Sequence, residues 1–291
     1  MRIIEFKSTH QETLRGVLHE PMSAPPYPAL IFAHGLLSEH REFGDYPEKF
    51  CARGYLVLTF DFRGHGASEG TRGLIAEDRC VEDLIHALDF IEAHPGIDNN
   101  RIALFGHSFG GGASLCATAR DPRVSAVIAG ATIGRLRDEI APGEMRVYRA
   151  AMAFNEWQKR FTHKPLYLPY RVTYKDLFAD ARARINAERQ GFLQRAICAD
   201  SIAHLLKQDA LRCARNLRVP ALIVQSELDR VVKFSSTRQV FDAIPGAKEW
   251  HQVEGAGHSF ATDAGNARTF DFIAAWLDRN LSRQSTVISD C

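Results

Sequence analysis

The sequence contains no long apolar run and no large excess of charge of either sign. No apolar stretch approaches the roughly 18 residues that span a bilayer, and residues 1–11 lack the apolar core of a secretory signal. The formal net charge of the 291 residues is +1, so the composition gives no indication of a nucleic-acid or membrane partner. We therefore expect a cytoplasmic protein with no membrane span that binds no nucleic acid.

Cysteine and glycine patterns of cofactor sites are also missing. The six cysteines are scattered and include no C-x-x-C pair: 51, 80, 116, 198, 213 and 291. Most lie inside apolar stretches, which predicts buried, reduced thiols and favours a cytoplasmic location. There is no H-E-x-x-H motif and no close cluster of histidine and cysteine, so no metal site is expected. Gly64 and Gly66 resemble the start of a dinucleotide fingerprint, but the third glycine is misplaced and no clear helix begins there.

Short apolar segments alternate with amphipathic ones along most of the chain. The segments with the composition of buried strands are 3–6, 14–18, 29–33, 55–60, 102–105, 124–129, 221–224 and 249–253. Segments between them have helical spacing, as in 39–53 and 78–94, where Leu84 and Leu88 fall on one face. This alternation predicts an α/β fold with a mostly parallel central sheet flanked by helices.

The alternation stops between residues 132 and 216. This stretch is helix-like, rich in aromatic residues and arginine, without a clear strand, and too long for a plain connection. We predict that residues 1–131 and 217–281 form the α/β core and that 132–216 form a helical lid over the carboxyl edge of the sheet, where open α/β sheets bind ligands. Residues 282–291 are predicted to be a C-terminal tail.

Two features of the predicted lid bear on substrate choice. It holds 16 Arg and Lys against 9 Asp and Glu, an excess that either steers an anionic substrate or forms a solvated surface. Phe154, Trp157 and Phe161 recur at helical spacing. They predict one face of a lid helix, which either lines the acyl pocket and binds substrate or packs the lid onto the core.

A Gly-His-Ser-Phe-Gly segment at residues 106–110 follows the predicted strand 102–105 and precedes a helical pattern. It fits the G-x-S-x-G nucleophile elbow in the strand–turn–helix context that this motif requires. Small residues at Gly106 and Gly110 leave room for a sharp turn, and the helix N-terminus behind the serine favours negative charge. The pattern predicts Ser108 as a nucleophile.

A serine hydroxyl needs a base, and the base needs an acid to orient it. His258, in a Gly-Ala-Gly-His segment after the last predicted strand, is the candidate base. Asp229, just past the strand 221–224, is the candidate acid, with Glu227 and Asp263 as alternatives. Loops that follow parallel strands meet at one edge of the sheet, and the order Ser, Asp, His is that of the hydrolase motif.

A developing oxyanion needs donors, which are commonly two backbone N–H groups. The candidates are Phe109, directly after the nucleophile, and Leu36, in the loop after an early strand. His34, His65 and His107 are typical of structural histidines that hydrogen-bond the loops around a pocket.

Taken together, several motifs resemble those of the α/β-hydrolase superfamily: Gly-His-Ser-Phe-Gly at 106–110, His34-Gly35, the loop 61–68, Glu227-Leu-Asp229 and Gly257-His258. The resemblance covers nearly the whole chain except 132–216. Within the superfamily the chain is similar to lidded serine hydrolases, such as monoacylglycerol-lipase-like and cinnamoyl/feruloyl-esterase-like enzymes. The resemblance implies acyl transfer, with Ser108 attacking a carbonyl, His258 moving the proton and Asp229 holding the imidazole. It implies no cofactor and no metal.

The expected function is hydrolysis of a carboxylic ester through an acyl-enzyme intermediate. The substrate would be a small molecule with an apolar or aromatic acyl group, and the basic lid would favour an anionic one. The same three residues would also serve a thioesterase or a C–C bond hydrolase. A third alternative is a non-catalytic binding protein whose triad is vestigial.

Overall fold

The computed structural model describes residues 1–263 and 266–282 of the chain. The predicted C-terminal tail from residue 283 onward, which includes Cys291, lies outside the described residues. Within the described ranges, no helix combines the length and apolar character needed to cross a membrane.

Most strands of the chain join one central sheet. The strands are β1 (Arg2–Lys7), β2 (Thr13–His19), β3 (Tyr27–Ala33), β4 (Leu56–Phe60), β5 (Ile97–His107), β6 (Val124–Gly130), β7 (Tyr167–Pro169), β8 (Ala196–Cys198), β9 (Ala221–Ser226) and β10 (Lys248–Val253). The eight-stranded sheet has the order β1-β2-β4-β3-β5-β6-β9-β10. β2 pairs antiparallel with β1 and with β4, whereas all other neighbours in this sheet are parallel. The predicted mostly parallel sheet is therefore confirmed.

Helices flank this sheet and also fill the long segment between β6 and β9. The helices are α1 (Tyr46–Ala52), α2 (Glu77–Glu92), α3 (Phe109–Thr118), α4 (Leu136–Glu139), α5 (Pro142–Thr162), α6 (Tyr174–Leu177), α7 (Ala181–Gln190), α8 (Asp200–Leu205), α9 (Ala210–Ala214), α10 (Phe234–Ala243) and α11 (Asn266–Asn280). They cover both faces of the sheet, as expected for parallel strands that are apolar on both sides.

The alternating side chains of β5 show how the two faces are buried. Leu104 belongs to one apolar core, which includes Leu84 of α2. The next residue, Phe105, belongs to the opposite core, with Phe50 of α1 and Ile273 of α11. Successive residues of a strand point to opposite faces, so a continuous apolar run is needed to fill both cores.

The segment between β6 and β9 departs from the prediction in one respect. No strand was expected there, but β7 and β8 form a short antiparallel pair, in which Tyr167 lies opposite Cys198 and Pro169 opposite Ala196. Each strand has only three residues, which is too short for a periodic pattern to stand out in the sequence. The boundaries 132 and 216 stay a prediction.

A second difference lies in residues 39–53, which were predicted as one helix. The structure has a 3-10 turn at His40–Phe43 and then α1, with Gly44 between them. Gly44 has a φ of 56°, in the left-handed region that favours glycine and interrupts a helix. Phe43 and Phe50 nevertheless share one core, so the apolar side of the segment continues across a break that the helical spacing did not predict.

The cysteines provide a further correction. Cys116 of α3 and Cys213 of α9 form a disulfide, so the prediction of reduced thiols is wrong for this pair. Cys80 and Cys198 are free and buried, as predicted, and Cys51 is free and partly exposed. The disulfide partners are 97 residues apart, so only the packing of α3 against α9 reveals the pair. Because disulfides are typical of oxidising compartments, the cysteines no longer favour a cytoplasmic location.

The disulfide closes a long loop, and we expect it to stabilise the fold. Cys213→Ala should lower the free energy of unfolding by about 2–5 kcal/mol. Urea denaturation with and without dithiothreitol measures this: reduction should destabilise the wild type but not the variant. Cys80→Ala, which removes a buried free thiol, is the control and should keep the wild-type response to reductant. Equal stability of the reduced and oxidised wild type would contradict the expectation.

Candidate active site

Ser108 lies at the turn between β5 and α3, as the motif predicted. Its φ is 54° and its ψ is −120°, a conformation that costs energy for any residue with a side chain. The Ser108 N–H donates to the Gly130 carbonyl at 2.7 Å, which ties the turn to the end of the neighbouring strand β6. The strained turn is thus held by the adjacent strand.

The two glycines of the motif allow this turn because the backbone on either side is crowded. A Cβ at Gly106 would overlap the carbonyl of Gly110, and a Cβ at Gly110 would overlap the carbonyl of Ala33. The first turn of α3 therefore packs directly against β5 and the end of β3. This contact places Ser108 beside the loop that follows β3.

His258 and Asp229 come together from two different loops. His258 Nδ1 lies 2.9 Å from Asp229 Oδ2, and both side chains are buried. Asp229 Oδ1 also accepts the N–H groups of Val231 and Val232, at 2.8 and 2.9 Å. The turn after β9 therefore fixes the carboxylate in place.

The charge of Asp229 follows from these contacts. Burial alone would raise the pKa of this carboxyl group. The charge and hydrogen bond of His258, with the two backbone N–H groups, outweigh burial and hold the Asp229 pKa below its usual value. Asp229 is therefore ionised at neutral pH and accepts a hydrogen bond from Nδ1.

The two alternative acids bind backbone groups. Glu227 Oε2 accepts the Gly255 N–H at 3.0 Å. Asp263 accepts the N–H groups of Gly257, Ala179 and Asp180, at 2.7 to 2.9 Å. Asp263 thereby fastens the histidine loop to the chain just after α6, a structural contact that no local sequence pattern indicated.

Ser108 and His258 line the same small cavity at the carboxyl edge of the sheet. Its volume is about 20 Å³, close to the size of a single water. The lining consists of Gly35, Leu36, Ser38, Glu42, His107, Ser108, Tyr170, Leu177, Leu193, Val231, His258 and Ser259. The structure thus brings the predicted nucleophile, base and acid to one place.

The predicted oxyanion donors flank this cavity. Leu36 lines it from the loop after β3, and Phe109 is the first residue of α3, where helix N–H groups have no earlier carbonyl to bind. A Cβ at Gly35 would lie 3.3 Å from the Ser108 Cβ. The loop after β3 therefore passes very close to Ser108.

A second, larger cavity of about 510 Å³ adjoins the first. Leu36, Tyr170 and Val231 line both cavities. The rest of its lining is mostly apolar and comes largely from the segment between β6 and β9: Ile133, Leu136, Ile140, Glu144, Val147, Tyr148, Ala151, Leu168, Pro169, Arg171, Val172, Ile197, Ile202, Leu205 and Leu206. Pockets of this size and character bind small organic ligands.

The predicted aromatic substrate residues are not part of that lining. Phe154, Trp157 and Phe161 of α5 are 50%, 55% and 70% exposed, and their rings contact one another instead. A different side of α5, which includes Tyr148 and Ala151, lines the large cavity. The expectation that the three aromatics line the pocket or pack onto the core is corrected, because helical spacing defines a face but not the direction in which it points.

The structural histidines bind loops, as expected. His34 Nε2 accepts the Phe62 N–H at 3.0 Å, and His65 Nδ1 lies 3.0 Å from the Arg63 carbonyl. Within the described residues, no group of three or more His, Cys, Asp or Glu side chains is arranged to hold a metal ion.

Tyr170, which lines both cavities, was not predicted as a site residue. It lies in the irregular stretch after β7, where no sequence pattern indicates which side chains face a pocket.

The chain is similar to several proteins along most of its length. The polyketide transferase ATR5 of Stachybotrys chlorohalonatus is 29% identical over 270 residues, which cover 88% of this chain and 89% of ATR5. The thiohydrolase apmlB of Arthrinium phaeospermum is 33% identical over 173 residues, which cover 57% of this chain and 54% of apmlB.

Solved structures share the fold. The α/β hydrolase GrgF from Penicillium sp. sh18 has a TM-score of 0.82 and 27% identity, covering 96% of this chain and 98% of GrgF. The monoacylglycerol lipase of Paleococcus ferrophilus has a TM-score of 0.73 and 19% identity, covering 96% of this chain and all of the lipase. The profile of the Hydrolase_4 family, described as serine aminopeptidase S33, matches residues 24–265. The chain therefore belongs to this family of α/β-hydrolases.

Proposed function

We propose that the protein is a serine hydrolase that cleaves a carboxylic ester through an acyl-enzyme intermediate. The observation that carries the proposal is the 2.9 Å hydrogen bond between His258 Nδ1 and Asp229 Oδ2, beside a cavity that Ser108 also lines. With Nδ1 held by the carboxylate, Nε2 is the nitrogen left to take a proton from the serine.

The proposed reaction has two halves. Ser108 Oγ attacks the ester carbonyl while His258 accepts the hydroxyl proton, and the alcohol then leaves with that proton, so that an acyl-serine remains. Water next attacks the acyl-serine with His258 as base, and the acid product leaves as Ser108 regains its proton. We assign stabilisation of the oxyanion in both halves to the N–H groups of Leu36 and Phe109.

The large apolar cavity supports an apolar acyl or alcohol group in the substrate. Its volume of about 510 Å³ is within the range of small-molecule pockets. We propose that residues 132–216 act as a lid, because this segment supplies most of the lining. We also propose that the excess of Arg and Lys in the lid attracts anionic substrates. The cavity lining itself does not share this excess, because it has one acidic and one basic side chain, Glu144 and Arg171.

A thioester is the second candidate substrate. The relative apmlB is named a thiohydrolase, and ATR5 is named a polyketide transferase. Thioester cleavage would use the same nucleophile, base and acid, with a thiol as the leaving group. Comparing an ester and a thioester that carry the same acyl chain distinguishes the two by their kcat/KM values.

Ser108→Ala tests the nucleophile. Turnover of p-nitrophenyl butyrate should fall by at least about 10³-fold, because the acyl-enzyme can no longer form. A fluorophosphonate should add to Ser108 of the wild type, as located by mass spectrometry of the peptide, and should not label the variant. A variant that keeps the wild-type rate would reject the assignment, and a wild type without an adduct would favour a binding protein.

Asp229→Asn tests the acid. The amide keeps the shape but favours the wrong imidazole tautomer, so kcat for the same ester should fall by roughly 10⁴-fold. Glu227→Gln, two residues away, is the matched control and should stay within about two-fold of the wild type, because the Glu227 carboxylate accepts the Gly255 N–H and an amide oxygen can accept the same hydrogen bond. If Glu227→Gln were the inactive variant, the assignment of the acid would be wrong.

Ala151→Trp tests the large cavity. Ala151 lines it from α5, so an indole there should reduce kcat/KM for p-nitrophenyl decanoate by roughly 10-fold or more while leaving the acetate ester within about two-fold. Ala150→Trp, on the exposed side of the same helix, is the control and should leave both esters unchanged. Equal losses for the acetate and decanoate esters in Ala151→Trp would contradict this use of the cavity.

A further inference from the structure

A buried acid and a buried histidine lie against each other in the cavity that Ser108 also lines. Glu42 belongs to the 3-10 turn after β3, and His107 is the last residue of β5. Their side chains are 5% and 7% exposed, with Glu42 Oε1 3.2 Å from His107 Nδ1. Neither residue has a role in the acyl transfer proposed above.

The outer contacts of this pair reach two loops of the site. Glu42 Oε1 accepts the Gly35 N–H at 2.7 Å, in the loop that carries Leu36. His107 Nε2 lies 2.9 Å from the backbone carbonyl of His258. A continuous chain of hydrogen bonds therefore runs from the proposed oxyanion loop to the loop of the proposed base, through the residue that precedes Ser108.

The acceptors in this chain fix one of the protons on His107. A carbonyl oxygen can only accept, so Nε2 of His107 carries a hydrogen. Glu42 Oε1 already accepts from Gly35, and an ionised carboxylate accepts from Nδ1 as well. Donation from Nδ1 to the carboxylate as well would make both ring nitrogens donors, which corresponds to an imidazolium beside a carboxylate.

The surroundings agree with these charges. Burial by itself would lower the pKa of His107, but the Glu42 carboxylate, the His258 carbonyl and the charge of Asp229 raise it above the usual value. Burial would raise the pKa of Glu42, but His107 and the nearby His34 hold it below the usual value. The His107 ring also contacts the rings of His258, Phe260 and Phe43, with centroids 4.6, 5.6 and 6.5 Å apart.

We propose that Glu42 and His107 form a charged clamp whose role is to position the Gly35–Leu36 loop and the His258 loop on either side of Ser108. This inference rests on the proposed function, since it assigns the clamp to the same site. Both are positioning residues, because they act through the backbone of the loops.

The clamp is suited to fixing the positions of the two loops rather than to stabilising the fold. Taking two charges out of water costs free energy that their attraction offsets only in part, so a buried ion pair is a poor device for stability and a better one for fixing geometry. The histidine loop contains Gly255 and Gly257, and the oxyanion loop contains Gly35, so their backbones have more freedom than most. A misplacement of 1 Å at a reacting centre can cost about 100-fold in rate.

Glu42→Gln and His107→Gln test the clamp in the full-length protein. With p-nitrophenyl butyrate, each should lower kcat by about 10- to 100-fold and leave KM within about two-fold, because neither residue lines the large apolar cavity. The double variant should lose no more than the worse single variant, since both changes break one unit. Leu88→Ala, in α2 on the core face, is the control for stability: it should lower Tm and leave kcat unchanged.

Nitrogen-15 NMR of histidine-labelled protein reads the charge without any activity. His107, identified by the signals missing from His107→Gln, should have both ring nitrogens protonated at pH 7 in the wild type and one in Glu42→Gln. A neutral His107 in the wild type would overturn the charged clamp. A folded Glu42→Gln or His107→Gln with wild-type kcat would overturn its positioning role. Failure of the proposed function would be seen separately from failure of the clamp. In that case the wild type would show no ester turnover, or its turnover would not depend on Ser108.

Discussion

The common direction of the strands β3, β5, β9 and β10 is the constraint on which the site depends. Parallel strands place the loops that follow them at one edge of the sheet. The sheet brings together three loops: Ser108 follows β5, Asp229 follows β9 and His258 follows β10. Residues up to 150 positions apart along the chain therefore lie close together in the fold. The hydrogen bond between His258 and Asp229 is a product of this arrangement and would not form in a meander of antiparallel strands.

This constraint explains why the sequence was so informative about the core. Buried parallel strands need apolar runs, the nucleophile turn needs glycine on both sides, and each of these requirements leaves a local trace in the sequence. The positions of Ser108, Asp229 and His258 could therefore be predicted from the order of strands and motifs. Their roles stay a proposal that the geometry supports.

Other features left no such trace. The disulfide of Cys116 and Cys213 joins helices that meet only in the folded chain. The stripe of Phe154, Trp157 and Phe161 had the correct helical spacing, but the side of α5 that faces the cavity is set by how the helix rests on its neighbours. There, Asn155 and Lys159 bind Asp200. The contacts of Glu42 could not be predicted for the same reason, since only the structure shows that its carboxylate lies between Gly35 and His107.

The two cavities differ in the kind of interaction that their linings offer. The small cavity of about 20 Å³ is lined by buried polar side chains that include Glu42, His107 and His258, and a low dielectric there strengthens each electrostatic contact. The large cavity of about 510 Å³ offers apolar surface, which is non-directional and tolerates variation. The small cavity is lined mainly by loops that follow strands of the sheet, with Tyr170, Leu177 and Leu193 from the segment between β6 and β9, whereas that segment supplies most of the large cavity. Among the residues that the structure describes, Leu36, Tyr170 and Val231 border both cavities, so a substitution at one of them changes the walls of both.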